Sequence, residues 1–326
     1  IILDTMQSIT AEETQLSPIG KAALDALRES HADHRGRQWD LKPGSVVGLQ
    51  QTPQNAFDPS ALSNEEWFVQ GLAEIIKRTE SFCDVLHMAH PDGDFLDAFR
   101  EALEHLDKKG KTIVVRMMFA NMLFHVPDIS ALVGKLCQNI GPNTQLRLWV
   151  GAWRSRFSWN HAKIIAVDGR FLHTGGHNLW HGHYLKQSPV FDLSVELRGG
   201  IAMDGHAFAN QQWEFLRGCQ EDTEFRPLHP EWGSNVALNV TTLTAFPKEK
   251  CYKFPPQWDS SRFPCRQLES RTQEIPMISM GRRVGWNGPN CSDDAFIAMF
   301  GAAQRSIKMV IQDFGPMRYA GTNMII

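Results

Sequence analysis

Residues 95–120, FLDAFREALEHLDKKGKTIVVRMMFA, pair an amphipathic helix with a strand. Apolar side chains recur every three or four positions up to Gly110, and a glycine commonly follows the last turn of a helix. Residues 112–120, TIVVRMMFA, then form a nearly continuous apolar run, which is typical of a strand buried on both faces. A helix followed by a buried strand indicates one unit of an α/β fold.

The same alternation continues on both sides of this unit. In chain order, the further predicted elements are a helix at 64–81, a strand at 82–89, a helix at 129–139, a strand at 145–150 and a strand pair at 163–167 and 171–174. The strand pair turns at Asp168-Gly169, a dipeptide that favours tight turns. The sequence therefore predicts an α/β protein in which helices sandwich a mixed β-sheet.

Three regions differ in composition. Residues 1–217 carry the regular alternation, whereas 218–276 are aromatic, proline-rich and polar, which is typical of a linker or a surface excursion. Regular elements return in 277–326, with a helix predicted at 295–305 and a strand at 307–311. We therefore expect one complete α/β repeat, an irregular connection and the beginning of another repeat.

The last region is similar to an earlier one. Residues 74–91 (EIIKRTESFCDVLHMAHP) and 299–316 (MFGAAQRSIKMVIQDFGP) share the order helix end, cation, serine, apolar strand and proline. Ser81 corresponds to Ser306, which sets an offset of about 225 residues. This spacing indicates an internal repeat of domain size.

Composition excludes some classes of function. The formal net charge of −3 gives no global basic field, which disfavours a general nucleic-acid binder. No apolar run is long enough for a membrane span, so we expect a protein that is soluble or peripheral to membranes. Four cysteines lie in the loop-rich later part of the chain, where disulfides would act as staples, and this favours an exported protein; they are Cys219, Cys251, Cys265 and Cys291.

The candidate catalytic residues are concentrated between positions 157 and 178. The chain has FSWNHAK at 157–163, then Asp168-Gly169, then GGHN at 175–178. Residues two apart on a strand share a face, so His161 and Lys163 are expected to project together. The strand reversal returns the chain past them, and the two glycines permit close approach of the backbone. An imidazole, an ammonium and an amide at one place suit a phosphate bound beside a nucleophile.

This pattern resembles the signature of the phospholipase D superfamily, H-x-K-x4-D followed by G-G-x-N. The wider run FSWNHAKIIAVDG…TGGHNLW…YL…PVFDLSVEL is most similar to the secreted, Streptomyces-type bacterial members. The resemblance covers residues 65–215 well and 277–315 loosely. It implies the phospholipase D-like fold, a mixed β-sheet sandwiched by helices, with the first repeat complete and the second repeat truncated.

The resemblance also implies roles for three residues of the motif. His161 matches the nucleophile that forms a phosphohistidine. Lys163 and Asn178 match the ligands of the substrate phosphate. The implied mechanism needs no metal and no cofactor.

Three further residues receive roles from the same resemblance. Asp168 is the motif aspartate, whose part in this family is usually structural, anchoring the turn. Asp192 matches an acidic residue that hydrogen-bonds the nucleophilic histidine and fixes its tautomer. Trp180 is expected near the mouth of the pocket, where an aromatic ring could meet a choline-like cation.

Histidines outside the motif have simpler interpretations. His181 and His183 lie close to His177, but no third ligand has a spacing diagnostic of a metal site, so exposed loop histidines are expected. His87 ends a predicted strand at the edge of the site and is expected to be a buried or edge histidine.

One departure from the family is serious. Such enzymes use two H-x-K motifs, and His161 heads the only one in this sequence. An offset of about 225 residues puts its counterpart near position 386, beyond Ile326. We therefore expect an N-terminal part of a two-lobed enzyme, with the C-terminal half supplied as a separate chain or fragment, and little activity without it.

Three functions compete on these grounds. The first is a phospholipase D that hydrolyses or transphosphatidylates glycerophospholipids such as phosphatidylcholine at a membrane surface, with no nucleic acid as partner. The second is a homodimeric single-motif phosphodiesterase or nuclease, in which two copies of His161 face each other across a two-fold axis. The third is a catalytically silent protein that binds phosphate or lipid.

Overall fold

The computed structural model describes residues 16–30, 37–41, 44–53, 66–122, 127–155, 158–184, 190–221, 236–240, 255–262, 275–282, 290–309, 317–319 and 322–324. The helices are α1 (Pro18–Ser30), α2 (Glu66–Lys77), α3 (Gly93–Lys108), α4 (Ile129–Leu136), α5 (His181–Tyr184), α6 (Ala202–Glu221) and α7 (Cys291–Ala302). The strands are β1 (Arg37–Leu41), β2 (Val46–Thr52), β3 (Phe82–Leu86), β4 (Ile113–Ala120), β5 (Leu146–Ser155), β6 (Ser158–Trp159), β7 (Ile164–Val167), β8 (Phe171–Gly175), β9 (Asp192–Arg198), β10 (Val236–Val240), β11 (Ile275–Ser279), β12 (Met317–Tyr319) and β13 (Thr322–Met324).

A mixed sheet forms the centre of the protein. Among the described residues it has nine strands in the order β10-β5-β4-β3-β7-β8-β9-β2, with β6 paired to β5. The neighbours β3, β4 and β5 are parallel, because α3 and α4 return the chain to the same end of the sheet each time. The neighbours from β3 through β7, β8 and β9 to β2 are antiparallel. The predicted α/β class with a mixed sheet between helices is confirmed.

Apolar layers cover both faces of the sheet. The helices α2, α3 and α4 cover one face, with Phe68, Phe99 and Leu136 in its core. The helix α6 covers the other face through Trp213, which packs with Trp153 of β5. Every residue of β3 and β4 is buried, as expected for strands covered on both sides.

A fully buried ion pair joins the two central strands. The Arg116 guanidinium donates to both carboxylate oxygens of Asp84, at 2.7 and 2.8 Å. His206 of α6 donates from Nδ1 to Asp84 Oδ2 at 2.7 Å, because its Nε2 accepts the Gly169 amide at 3.1 Å. Each buried charge is thus paired and hydrogen-bonded, which such groups require inside a protein.

Part of the proline-rich region belongs to the folded body. β10 pairs antiparallel with β5 at the edge of the sheet. Trp258 is buried and its ring stacks on His206, with 4.8 Å between ring centroids. Asn210 of α6 donates to the Trp258 carbonyl at 2.8 Å. β10 and Trp258 therefore belong to the folded body, while the division of the chain at 217 and 277, with an irregular connection at 218–276, stays a prediction.

The beginning of the predicted second repeat is only partly regular. α7 forms and packs against α1 through Cys291 and Ala295, four residues earlier than the predicted helix start. Residues 306–309 form no strand within the described structure, and Ile307 is exposed, because a strand needs a neighbour to accept its hydrogen bonds. The rest of that predicted strand lies outside the described residues.

The structure also bears on the cysteines and on the expected absence of a membrane span. Cys291 is a free thiol that donates to the Gly281 carbonyl at 2.7 Å, so the expected disulfide is absent there. Cys251, Cys265 and the side chain of Cys219 lie outside the described residues. In the described part of the chain, no helix has the length and apolar character that a membrane span requires.

Candidate active site

Several segments of the sequence motif meet at one edge of the sheet. β3, β8 and β2 end at this edge, whereas the antiparallel strands β7 and β9 begin there. The Gly175 amide donates to the Lys163 carbonyl at 3.4 Å, and Gly175 lies opposite Ser194. Thr52 lies opposite Asp192 in the same way. The sheet register therefore brings together residues that are far apart in sequence.

The Lys163 side chain is buried and contacts the backbone of His161. It is only 6% exposed, and Nζ donates to the His161 carbonyl at 2.9 Å. Burial lowers the pKa of Lys163 to about 8, and the Asp192 carboxylate acts in the opposite direction. The lysine therefore remains mostly protonated at neutral pH and offers a cation to a phosphate.

The imidazole of His161 is neutral at pH 7. The residue is solvent-exposed, yet surrounding protein atoms and the Lys163 ammonium lower its pKa to about 4. A neutral ring has a nitrogen lone pair available for attack on phosphorus. β7 begins only at Ile164, so the rule that residues two apart on a strand share a face does not apply to this pair. His161 is exposed and Lys163 is buried, and their projection to one place stays a prediction.

Asn160 holds the segment that carries His161. This buried side chain donates from Nδ2 to the carbonyls of His87 at 3.0 Å and Met118 at 2.9 Å. Its Oδ1 accepts the Ala162 amide at 3.1 Å. Asn160 thus ties the residues around His161 to the ends of β3 and β4. This role of Asn160 was not predictable from the sequence, because both carbonyls belong to residues distant along the chain.

The two glycines before Asn178 are required by close packing. A side chain at Gly175 would overlap the Ser194 hydroxyl and the Leu193 carbonyl. A side chain at Gly176 would overlap the Asp192 carboxylate. Asn178 follows them, is 9% exposed, and within the described residues its Oδ1 has no hydrogen-bond partner.

His177 is a structural histidine within this loop. Its Nε2 lies 2.8 Å from the Thr52 hydroxyl and its Nδ1 lies 2.7 Å from the Ser194 hydroxyl. Its ring packs on Phe68, with 4.2 Å between centroids. Burial lowers the pKa of His177 to about 3, so the ring is neutral. Among the described residues, no group of three histidine, cysteine, aspartate or glutamate side chains could hold a metal ion.

Asp168 lies away from this edge. Its carboxylate accepts the amides of Glu80 at 2.7 Å, Ser81 at 3.0 Å and Phe82 at 2.8 Å, and also the Ser81 hydroxyl at 2.8 Å. Five residues of strand separate it from Lys163, which amounts to roughly 16 Å. These contacts are those of a structural anchor that joins the β7–β8 turn to the start of β3.

Asp192 lies at the edge but has other partners than the family resemblance implied. Its Oδ2 accepts the Tyr184 hydroxyl at 3.0 Å, and its Oδ1 accepts the Leu193 amide at 2.9 Å. In the described structure no hydrogen bond joins it to His161, so that role stays a prediction. Trp180 is half-buried against the core, and its carbonyl accepts the Tyr184 amide. Its predicted place at a pocket mouth also stays a prediction.

Comparison with known proteins agrees with the motif. The chain is 28% identical over 229 residues to a phospholipase D of Streptomyces antibioticus. This similarity supports membership of the phospholipase D superfamily. The match covers 63% of this chain and 40% of the length of the Streptomyces relative. No family model matches the chain.

Solved structures similar to this chain have low TM-scores. Nuc from Salmonella typhimurium, described as a phospholipase D family member, has a TM-score of 0.33 at 14% identity and covers 58% of this chain and 95% of its own. NucT from Helicobacter pylori has a TM-score of 0.34 at 8% identity, with coverage of 49% and 91%. Phosphatidylserine synthase from Haemophilus influenzae has 0.29 at 14% identity, with coverage of 40% and 31%.

Proposed function

We propose that this protein is a phosphodiesterase that hydrolyses glycerophospholipids such as phosphatidylcholine, and that transfers the phosphatidyl group when an alcohol replaces water. The observation that carries the proposal is the neutral, exposed imidazole of His161, whose backbone carbonyl accepts a hydrogen bond from the Lys163 ammonium, at the sheet edge that also holds Asn178. The similarity to a protein named phospholipase D supports the substrate class. The protein acts peripherally on membranes and is exported.

The reaction proceeds in two displacements. Lys163 and Asn178 hold the non-bridging oxygens while the His161 nitrogen attacks phosphorus, and the bond from phosphorus to the head-group oxygen breaks. This step forms a phosphohistidine, and the departing alkoxide takes a proton from a general acid. Water then attacks phosphorus and returns a proton to the same group, which breaks the phosphorus–nitrogen bond and restores His161.

The general acid is supplied by a second H-x-K motif. His161 heads the only such motif in this sequence, and the chain spans 40% of the length of its relative. We propose that a C-terminal half, as a separate chain or fragment, brings that motif to the same edge. Loss of a strongly basic alkoxide is slow without a proton donor, so the choline-releasing reaction depends on it.

An activated diester tests His161 separately from the general acid. In bis(p-nitrophenyl) phosphate the leaving group is a weakly basic phenolate that departs without a proton. We expect a burst of p-nitrophenolate from this chain and an acid-labile mass adduct on the peptide containing His161. In His161→Asn we expect the burst to fall by at least about a hundredfold, because the nucleophile is lost.

His105→Asn is the matched control for the nitrophenolate burst assay. His105→Asn changes an exposed histidine on α3 and should retain the burst. A burst that persists undiminished in His161→Asn would refute the nucleophile assignment. Binding of lipid vesicles with no adduct from any diester would indicate the silent binding protein instead.

The lipid substrate needs its own measurement. We expect the full-length native protein to release choline from phosphatidylcholine vesicles, and to form phosphatidylethanol when ethanol is present. Cleavage of DNA or RNA with no choline release would replace the lipid proposal by the nuclease.

The single motif also fits a symmetric dimer. In that arrangement a second copy of this chain would supply the other His161 across a two-fold axis. Light scattering at the assay concentration separates the two schemes, because the dimer would have twice the mass of the chain. Mixing wild-type chain with excess His161→Asn would then suppress turnover of an unactivated diester.

A further inference from the structure

The hydroxyl of Tyr184 occupies a central place among the candidate site residues. The side chain is 2% exposed, and its Oη donates to Asp192 Oδ2 at 3.0 Å. Burial raises the pKa of Tyr184 to about 12, and the neighbouring Asn178 acts in the opposite direction. One hydroxyl therefore lies between a predicted phosphate ligand and the carboxylate at the start of β9.

Two donors fix the orientation of that carboxylate. The Leu193 amide occupies Oδ1 at 2.9 Å, and Tyr184 occupies Oδ2. Gly176 leaves room for the carboxylate, since any side chain there would overlap it. A carboxylate held through both oxygens in a tight space has one orientation, whereas one held by a single amide can rotate.

The held carboxylate lies at the same sheet edge as Lys163, because Asp192 Oδ1 lies against Gly176 and the neighbouring Gly175 amide donates to the Lys163 carbonyl at 3.4 Å. Its negative charge favours the ammonium form of a lysine that is almost fully buried. The other titratable groups that act on this ammonium are His161, ahead of β7, and His87, at the end of β3. Both rings are neutral at pH 7, because burial lowers their pKa values. Asp192 is therefore the charged partner of Lys163 in the described structure.

We infer that Tyr184 is a positioning residue, whose hydroxyl holds the Asp192 carboxylate toward Lys163 and couples both to Asn178. This inference rests on the proposed function, since it assigns the maintenance of the phosphate-binding ammonium to a residue that touches no substrate. The role belongs to the hydroxyl alone. The ring packs beside His177, with 5.4 Å between centroids, and a phenylalanine keeps that packing.

The direct test measures the pKa of Lys163 without any substrate. Protein labelled with ¹³C at lysine Cε is titrated by NMR, and the Lys163 signal is assigned by its loss in Lys163→Arg. We expect Tyr184→Phe to lower the pKa of Lys163 by roughly one unit, because the carboxylate is free to turn away from the ammonium. Asp192→Asn should lower it by at least as much. The double variant should be no lower than Asp192→Asn, since the tyrosine acts through the aspartate.

The matched control removes a different buried hydroxyl at the same edge. Thr52→Val deletes the group that contacts His177 and leaves the Asp192 pair intact, so the pKa of Lys163 should not move. A Lys163 pKa unchanged in Tyr184→Phe, or lowered additively in the double variant, would overturn the inference. If Asp192→Asn does not fold, Asp192→Glu, which displaces the carboxylate by one methylene, replaces it in the comparison of single and double variants.

A second readout connects the inference to the reaction. In the activated-diester assay, the alkaline limb of the pH–rate profile for Tyr184→Phe should move to lower pH by the same amount as the Lys163 pKa. A merely structural tyrosine would lower the unfolding temperature without moving this limb. Absence of any burst in the wild type would refute the proposed function, whereas the NMR titration would still decide the role of Tyr184.

Discussion

Asp168 holds the start of β3 through four hydrogen bonds, and its replacement removes them together. The carboxylate oxygens of Asp168 accept hydrogen bonds from the amides of Glu80, Ser81 and Phe82 and from the Ser81 hydroxyl. Asp168 also has a φ of +52°, in the left-handed region that aspartate and asparagine tolerate better than alanine. Three replacements separate these two contributions.

The structure sets the order of the three variants. Alanine loses every bond and is strained at positive φ, so Asp168→Ala should lower the free energy of unfolding by about 4 kcal/mol. Glycine loses the bonds but carries no strain, so Asp168→Gly should cost about 3 kcal/mol. Asparagine keeps the conformation and one acceptor oxygen, so Asp168→Asn should cost about 1–2 kcal/mol. The exposed Glu80 amide is rehydrated in all three and contributes least.

Urea denaturation followed by tryptophan fluorescence and far-ultraviolet circular dichroism measures these differences. His161→Asn serves as the comparison, since it removes the nucleophile from an exposed position and should change the unfolding free energy by less than about 0.5 kcal/mol. If the unfolding free energy of Asp168→Ala lies within about 1 kcal/mol of wild type, Asp168 does not anchor the start of β3. Equal losses in the asparagine and alanine variants would also contradict this role.

Three further predictions follow from the described contacts. Gly176→Ala should abolish the nitrophenolate burst, measured as above, because its methyl group overlaps the Asp192 carboxylate. Arg116→Leu should lower the unfolding free energy in urea by about 3–5 kcal/mol, because it leaves the fully buried Asp84 carboxylate without its cation. The free energy of unfolding should decrease as the pH is lowered from about 6.5 to about 3, by up to about 1.4 kcal/mol per pH unit for His177. The folded-state pKa of His177 is about 3, so in this range only the unfolded chain binds a proton at this histidine.

Each of these predictions has a control within the chain. Gly182→Ala places a methyl group in open space and should keep the burst. Arg100→Leu removes a surface ion pair with Asp97 and should cost less than about 1 kcal/mol. His177→Gln should flatten the acid slope of stability, whereas the exposed His105→Gln should not. A variant that matches its control would contradict the corresponding prediction.

The fold class was predictable because its signals are local. A buried strand such as β4 requires eight consecutive side chains that tolerate burial, and the helix before it requires an apolar residue every three or four positions. These requirements act within one element and are visible without any neighbour. The edge strand β10 and the buried Trp258 were missed because the pairing of the strand and the burial of the ring depend on partners in β5 and α6, which no local pattern reveals.

The motif residues were found for a similar reason, since His161, Lys163 and Asn178 lie at short, characteristic spacings. By itself, the sequence determined the α/β class, the position of the H-x-K-x4-D motif and the similarity to the phospholipase D superfamily. Only the tertiary structure decided that Asp168 supports a strand that starts 86 residues earlier, and that the Tyr184 hydroxyl donates to Asp192. Hydrogen bonds act over about 3 Å in space, and the register of the sheet, not the distance along the chain, determines which groups come that close.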